Sequence, residues 1–146
     1  DIAKSLSLFI LLECIKEKRS CYIISFSVSI ECLDLTNIGD KGVLNKYIDF
    51  LGNSFHGGTD FEPCLNHALE ILENKSFKKA DVLVISDFCV GDFSNDFLQK
   101  IANQKKLDTR FFSLLVGEKS RGNQEVINQF TDNWWYEKNK IVKIKK

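Results

Sequence analysis

Apolar positions along this chain recur in alternating periods, and those periods predict alternating helices and strands. Across residues 1–18, Ile2, Leu6, Phe9, Ile10 and Leu12 return at helical spacing, and Leu8, Leu11 and Ile15 widen the apolar face. Asp1 is placed to cap this helix, and Lys16, Lys18 and Arg19 close it with the positive charge that a helix C-terminus favours. A helix apolar on most sides is expected to be buried against a sheet and neighbouring helices. The run from Ser20 to Phe26 is continuously apolar and rich in β-branched and aromatic residues, which predicts a central strand covered on both faces. Val28 to Leu35 alternates instead and predicts a neighbouring or edge strand, joined by a tight turn at Ser27.

After the turn-rich passage Thr36–Gly42, a helix is predicted from Val43 to about Asn53, burying Leu44, Tyr47, Ile48 and Leu51. A glycine turn, His56-Gly57-Gly58-Thr59-Asp60-Phe61-Glu62-Pro63, then leads into a helix running to about Lys75. Ala80 to Asp87 carries the strongest strand pattern, an apolar run closed by a carboxylate. A helix over Asn95–Lys105 displays Phe97, Leu98 and Ile101. Arg110–Val116 is a further buried strand, Glu125–Phe130 a short helix, and Trp134-Trp135-Tyr136 the expected final strand. Strands alternating with helices predict an α/β fold, a doubly wound and mostly parallel sheet flanked by helices.

Composition narrows the function classes. At 146 residues the chain has the length of a single domain, and 44% hydrophobic with 27% charged residues can build a core without disulfides or metals. Lys plus Arg equals Asp plus Glu at 20 each, so no basic field exists to attract nucleic acid or anionic lipid. The lysines of residues 138–146 read as a solvated basic tail. Five cysteines, odd in number and with no C-x-x-C pair, argue against a disulfide framework or a zinc site and for a reducing, cytoplasmic setting. No apolar run is long enough to span a membrane. The absence of any methionine, position 1 included, leads us to expect a fragment or a processed chain.

Candidate chemistry gathers at two strand and helix ends. In a parallel sheet, ligands bind beyond the carboxyl ends of the strands. Asp87 lies just past one such end, and Thr59 and Asp60 lie in a loop leading into a helix. Their oxygens suit a hard cation such as magnesium. The same residue types also serve as ordinary helix caps. His67 is expected to take a surface or helix-packing role and His56 to line the glycine loop. Asp81 is expected to cap the turn before its strand, Asp92 to be a loop residue, and Trp134 and Trp135 to join the core. No P-loop, G-x-G-x-x-G or G-x-S-x-G is present.

Three segments together resemble a von Willebrand factor A domain. They are Arg19-Ser20-Cys21-Tyr22-Ile23-Ile24-Ser25-Phe26-Ser27, Gly57-Gly58-Thr59-Asp60, and Ala80-Asp81-Val82-Leu83-Val84-Ile85-Ser86-Asp87-Phe88. More narrowly they resemble the bacterial ViaA/CoxE-like group, which works with MoxR-type AAA+ ATPases. The resemblance covers nearly the whole chain. It implies a metal-ion-dependent adhesion site, in which Mg2+ is held by three loops and a partner's carboxylate fills the vacant position. Matched motif to motif, Thr59 takes the second-loop threonine role and Asp87 the third-loop aspartate role, with Asp60 and Ser86 as supporting shell. The implied function is a protein-interaction module, not an enzyme, that docks onto a MoxR-type ATPase. The competing reading is a magnesium-dependent hydrolytic or phosphotransfer enzyme using Asp87 and Asp60.

The sequence departs from the family pattern in one respect. The first-loop Asp-x-Ser-x-Ser is absent, and Asp1-Ile2-Ala3-Lys4-Ser5 does not match it. The resemblance therefore places the family's first strand and first loop upstream of Asp1. The expectation is a domain lacking that strand, weak or absent Mg2+ binding in this chain, and self-association through apolar surface on Tyr22–Phe26 and the first helix.

Overall fold

A computed structural model of the chain describes residues 2–26, 30–52 and 60–145. The order of elements is the predicted alternation, and the class is α/β. The chain divides into two compact units, Asp1–Gly58 with Pro63–Lys78 and Thr59–Glu62 with Lys79–Lys146.

The first unit contains helices α1 (Ile2–Lys16) and α2 (Val43–Gly52), strands β1 (Cys21–Phe26) and β2 (Ile30–Leu35), and most of helix α3 (Phe61–Leu72). β1 and β2 pair antiparallel, Cys21 opposite Leu35 and Phe26 opposite Ile30, as the alternating pattern of the second run predicts. They form a two-stranded sheet, which corrects the expectation of a central strand at Ser20–Phe26. The continuous apolar run has another cause: side chains from helices meet both faces of this hairpin. On one face Cys21, Ile23 and Leu33 pack against a buried cluster of Leu11, Leu35, Ile38, Val43 and Tyr47. On the other, the Tyr22 ring meets Phe77 edge-on at 5.8 Å and His67 at 5.9 Å.

Two burial expectations are also corrected. In α1 only Leu11 is buried, and Phe9 is 62% exposed, because its apolar residues encircle the helix and one side alone reaches the cluster. In α2 the buried stripe is Val43, Tyr47 and Phe50, while Leu44 and Ile48 face outward. Those three follow i, i+4, i+7 spacing, one position off the predicted stripe. The Tyr47 hydroxyl donates to Lys4 O at 3.0 Å and so ties α2 to α1.

The second unit holds one sheet in the order β3 (Val82–Ser86), β4 (Phe111–Val116), β5 (Asp132–Glu137), β6 (Lys140–Ile144). β3, β4 and β5 run parallel, with Val84 beside Ser113 and Ser113 beside Asn133. α4 (Asn95–Lys106) joins β3 to β4, and the short α5 (Gln124–Ile127) lies between β4 and β5. Ser113 and Asn133 are buried polar residues, and the Ser113 hydroxyl bonds Asn133 Oδ1, so neither is left unsatisfied in the interior.

The Trp134-Trp135 strand is not the last one. Lys138 and Asn139 both adopt left-handed φ, 46° and 63°, and form the two-residue reversal that suits an antiparallel hairpin. β6 then pairs antiparallel with β5, so lysines read as a solvated tail lie partly on a strand, with their side chains exposed. Asp81 does not cap the preceding turn. Its carboxylate takes Arg110 Nη2 at 2.6 Å, joining the starts of β3 and β4, which parallel pairing brings side by side. Trp134 and Trp135 are half-buried and not core, with Lys143 and Lys119 over their rings.

Candidate functional site

The carboxyl end of β3 supplies the exposed carboxylate that the sequence singles out. β3 ends at Ser86, and the chain turns at once under two local hydrogen bonds. Phe88 N–H donates to Ser86 Oγ at 3.0 Å, and Cys89 N–H donates to Asp87 Oδ1 at 3.0 Å. Between these donors Phe88 sits at φ 56°, a left-handed conformation that a bulky residue adopts only when its surroundings hold it there. The hold is aromatic. Phe88 is 0% exposed, and its ring meets Phe61 at 5.4 Å and Phe130 at 5.6 Å, both edge to face.

Asn123 braces the same loop from the other side. Its backbone N–H donates to Phe88 O at 2.8 Å, and its Nδ2 donates to Val90 O and to Asp92 Oδ1 at 3.0 and 2.8 Å. Its Oδ1 meanwhile caps α5 by accepting from Glu125 N and Val126 N. Glycines permit the close approach. A Cβ on Gly122 would stand 3.1 Å from Ile127 Cδ1 and 3.4 Å from Asp87 O. Gly117, at the end of β4, has φ 111° and offers its carbonyl to Trp135 Nε1 at 3.0 Å.

Asp60 and Ser86 both take local structural roles. Asp60 Oδ1 accepts Glu62 N–H at 3.2 Å at the start of α3, the helix-cap role that stood beside the ligand reading. Glu62 then accepts from both the backbone N–H and the hydroxyl of Ser94, each at 2.6 Å, and Ser94 caps α4. The Phe61–Phe88 ring contact brings the Asp60–Glu62 segment to the Asp87 loop. Thr59, the expected second-loop ligand, lies outside the described residues, as do His56, Gly57, Gly58, the Asp1 cap and the Ser27 turn. Asp87 and Ser86 are thus adjacent and Asp60 is tied to their loop, while the position of Thr59 is not described.

The chemistry open to this arrangement is limited. The second unit contains no histidine. Its exposed thiol, Cys89, is pushed up by partial desolvation and then by the Asp87 carboxylate, away from nucleophilic reactivity. Among the described residues no group of three or more His, Cys, Asp or Glu is disposed to hold a metal ion. Asp87, with Ser86 and Asp60 engaged in turns, does not complete an octahedral magnesium shell by itself. His67 has the packing role expected of it, its Nε2 3.1 Å from the Tyr22 hydroxyl. Burial, followed by Cys32 and Asp34, pushes that Tyr22 hydroxyl up to about 12.

Phe88, Asn123 and Glu62 were not singled out from sequence. Asn before Gln-Glu-Val-Ile is a recognisable cap signal. Nothing in the string marks Phe88 as left-handed.

Fold and site together define an α/β domain with an exposed acidic loop beyond the carboxyl end of a mostly parallel sheet. No family model matches the chain, and no solved structure matches it. No helix among the described residues is long and apolar enough to cross a membrane.

Proposed function

We propose that this chain is a protein-interaction module of von Willebrand factor A type, close to the ViaA/CoxE-like group, that docks onto a MoxR-type AAA+ ATPase. The observation that carries the reading is the exposed Asp87 carboxylate, set past the carboxyl end of β3 on a loop braced by Phe88 and Asn123. A rigid, outward-facing acidic loop with no activated nucleophile beside it suits recognition better than turnover. In this reading Asp87 and Thr59 are the Mg2+ ligands, Asp60 and Ser86 support them, and this chain alone binds the ion weakly.

The test is a pull-down of a purified MoxR-type ATPase on the immobilised chain, in magnesium and in chelator, with ATPase rate read in parallel. Capture that needs magnesium and is lost in Asp87→Ala supports the module. Turnover of a generic phosphoester that vanishes in the same variant would instead establish the magnesium-dependent hydrolase reading with Asp87 and Asp60. Calorimetry on this chain is expected to show weak or absent Mg2+ binding. Tight binding that survives Thr59→Ala sinks the ligand assignment. The exposed apolar side of α1, with Ile2, Phe9 and Leu12 outward, supports self-association, and a clean monomer by light scattering refutes that part.

A further inference from the structure

The four-stranded sheet of the second unit ends in two unlike edges, β3 and β6. Among the described residues of this sheet, the large apolar side chains left exposed are Leu83 at 40%, Ile141 at 54% and Val142 at 45%, all on those edge strands. Backbone direction shows what each edge offers. Val82 N–H donates to Arg110 O at 3.0 Å, so Val82, Val84 and Ser86 turn their backbone groups toward β4, and Leu83 and Ile85 turn theirs outward. On β6, the two-residue turn at Lys138 and Asn139 closes between Glu137 O and Lys140 N–H. Lys140, Val142 and Ile144 therefore face β5, and Ile141 and Lys143 turn their backbone groups outward. Among the described residues no backbone group bonds these outward ones. The outward residues also share a sheet face. Leu83 lies beside Phe112, the Phe112 and Trp134 rings meet at 5.6 Å, and Trp134 lies opposite Lys143.

We propose that β3 of one copy pairs with β6 of a second copy, so that the sheet continues from chain to chain. β6 runs opposite to β3, and copies joined in one orientation therefore pair these strands antiparallel. Matching outward residue to outward residue sets Leu83 opposite Lys143 and Ile85 opposite Ile141, with Val84 beside Val142 between them. The same register sets Asp81 opposite Lys145 and Ser86 opposite Lys140. Charge selects this pairing over a pairing of like edges. β3 itself is uncharged, and Asp81 and Asp87 bracket it. Arg110 answers Asp81 at 2.6 Å, which leaves the Asp87 charge over. The β5–β6 hairpin sets Lys138, Lys140, Lys143 and Lys145 against Asp132 and Glu137, a positive surplus. Lysines on an edge strand repel a second such edge, but not one bracketed by carboxylates. Because the two edges differ, the contact is heterologous, and it leaves a free β3 and a free β6 for further copies.

Sedimentation velocity of the full chain over a concentration series tests this, repeated in a Phe9→Glu background that takes the outward side of α1 out of the assembly. Growth past the dimer is expected in both. Leu83→Lys sets like charges opposite each other and is expected to weaken association by about fivefold or more, whereas Leu83→Glu, facing Lys143, keeps it within about threefold. Lys143→Glu alone is expected to weaken it by about fivefold, and adding Leu83→Lys to that variant restores it to within about threefold of the parent chain. Urea unfolding checks that each variant is folded. Should a Leu83 variant unfold, Lys143→Glu, on an exposed side chain, decides by itself. A monomer at every concentration, an assembly that stops at the dimer, or loss of association in Phe9→Glu alone would overturn the proposal. So would equal losses in Leu83→Lys and Leu83→Glu, or a double variant no better than its parents.

Discussion

Phe88 combines the deepest burial of the site with its most strained backbone, and the two effects can be separated by substitution. Replacing it with alanine removes a fully buried ring that makes edge contacts with Phe61 and Phe130. Loss of a buried Phe costs roughly 3–5 kcal/mol. The left-handed φ of 56° persists in the alanine variant, since Ala carries the same Cβ against the same backbone. Phe88→Gly loses the same ring but sheds the left-handed penalty of roughly 1–2 kcal/mol. At an ordinary position Gly would be less stable than Ala by about 0.5–1 kcal/mol, through the entropy of the unfolded chain. The two terms oppose, strain relief is the larger, and F88G is expected to be more stable than F88A by about 0.5–1 kcal/mol. Urea unfolding followed by tryptophan fluorescence reads this directly. With a slope of roughly 1–3 kcal/mol per molar urea, the gap separates the midpoints by a few tenths of a molar. If F88A proves as stable as F88G or more so, with equal slopes, the strain argument is wrong.

Two further expectations follow from backbone and burial. Gly117→Ala places a side chain at φ 111° and is expected to cost about 1–2 kcal/mol, whereas Gly91→Ala, with open space around it and no positive φ, should be neutral or stabilise by about 0.5 kcal/mol. Equal urea midpoints for the two would refute that distinction. Burial first, then Cys32, pushes the Cys64 thiol from 9.0 up to about 12. Between those values the folded chain holds a proton that the unfolded chain releases, so the stabilisation present below pH 9 drains away as pH rises toward 12. Cys64→Ala should flatten the fall of stability with pH above 9, by up to about 1.4 kcal/mol per pH unit. An unchanged slope removes Cys64 from the account.

Element type and order could be read from periodicity because each run here is long enough to show its period. β3 and β4 are recognisable as apolar runs between turn signals, and α4 as a helix displaying Phe97 and Ile101. Sheet membership could not be read that way. The Cys21–Phe26 run is apolar because side chains of α1 and α2 reach one hairpin face and His67 of α3 with Phe77 reaches the other, and a strand flanked by strands would show the same string. The exposed side of α1 was illegible for a related reason: periodicity reveals a stripe, and a helix apolar all round has none. β6 was hidden by its lysines, which an edge strand tolerates because their side chains stay in water. At the site, Asp87 was legible from its place after a strand. Its bracing by Asn123 was not, because that contact spans a separation that local pattern cannot see.

Capping and recognition are not exclusive readings of Asp87, because a carboxylate has two oxygens and the turn uses one of them. Asp87 Oδ1 accepts Cys89 N–H. The outward role assigned to this residue rests on its charge. Asp87→Asn keeps an oxygen that can accept Cys89 N–H and removes the charge, whereas Asp87→Ala removes both. The turn hydrogen bond is worth about 0.5–1.5 kcal/mol, toward the low end at an exposed position. Urea midpoints should therefore stay at the wild-type value in D87N and drop slightly in D87A. Capture of the ATPase in magnesium should fall equally in both, since neither presents an anionic oxygen to a cation or a partner. Capture that D87N retains and D87A loses would mean that the residue acts only by shaping its loop. The docking surface would then have to be sought among its neighbours, not in the carboxylate.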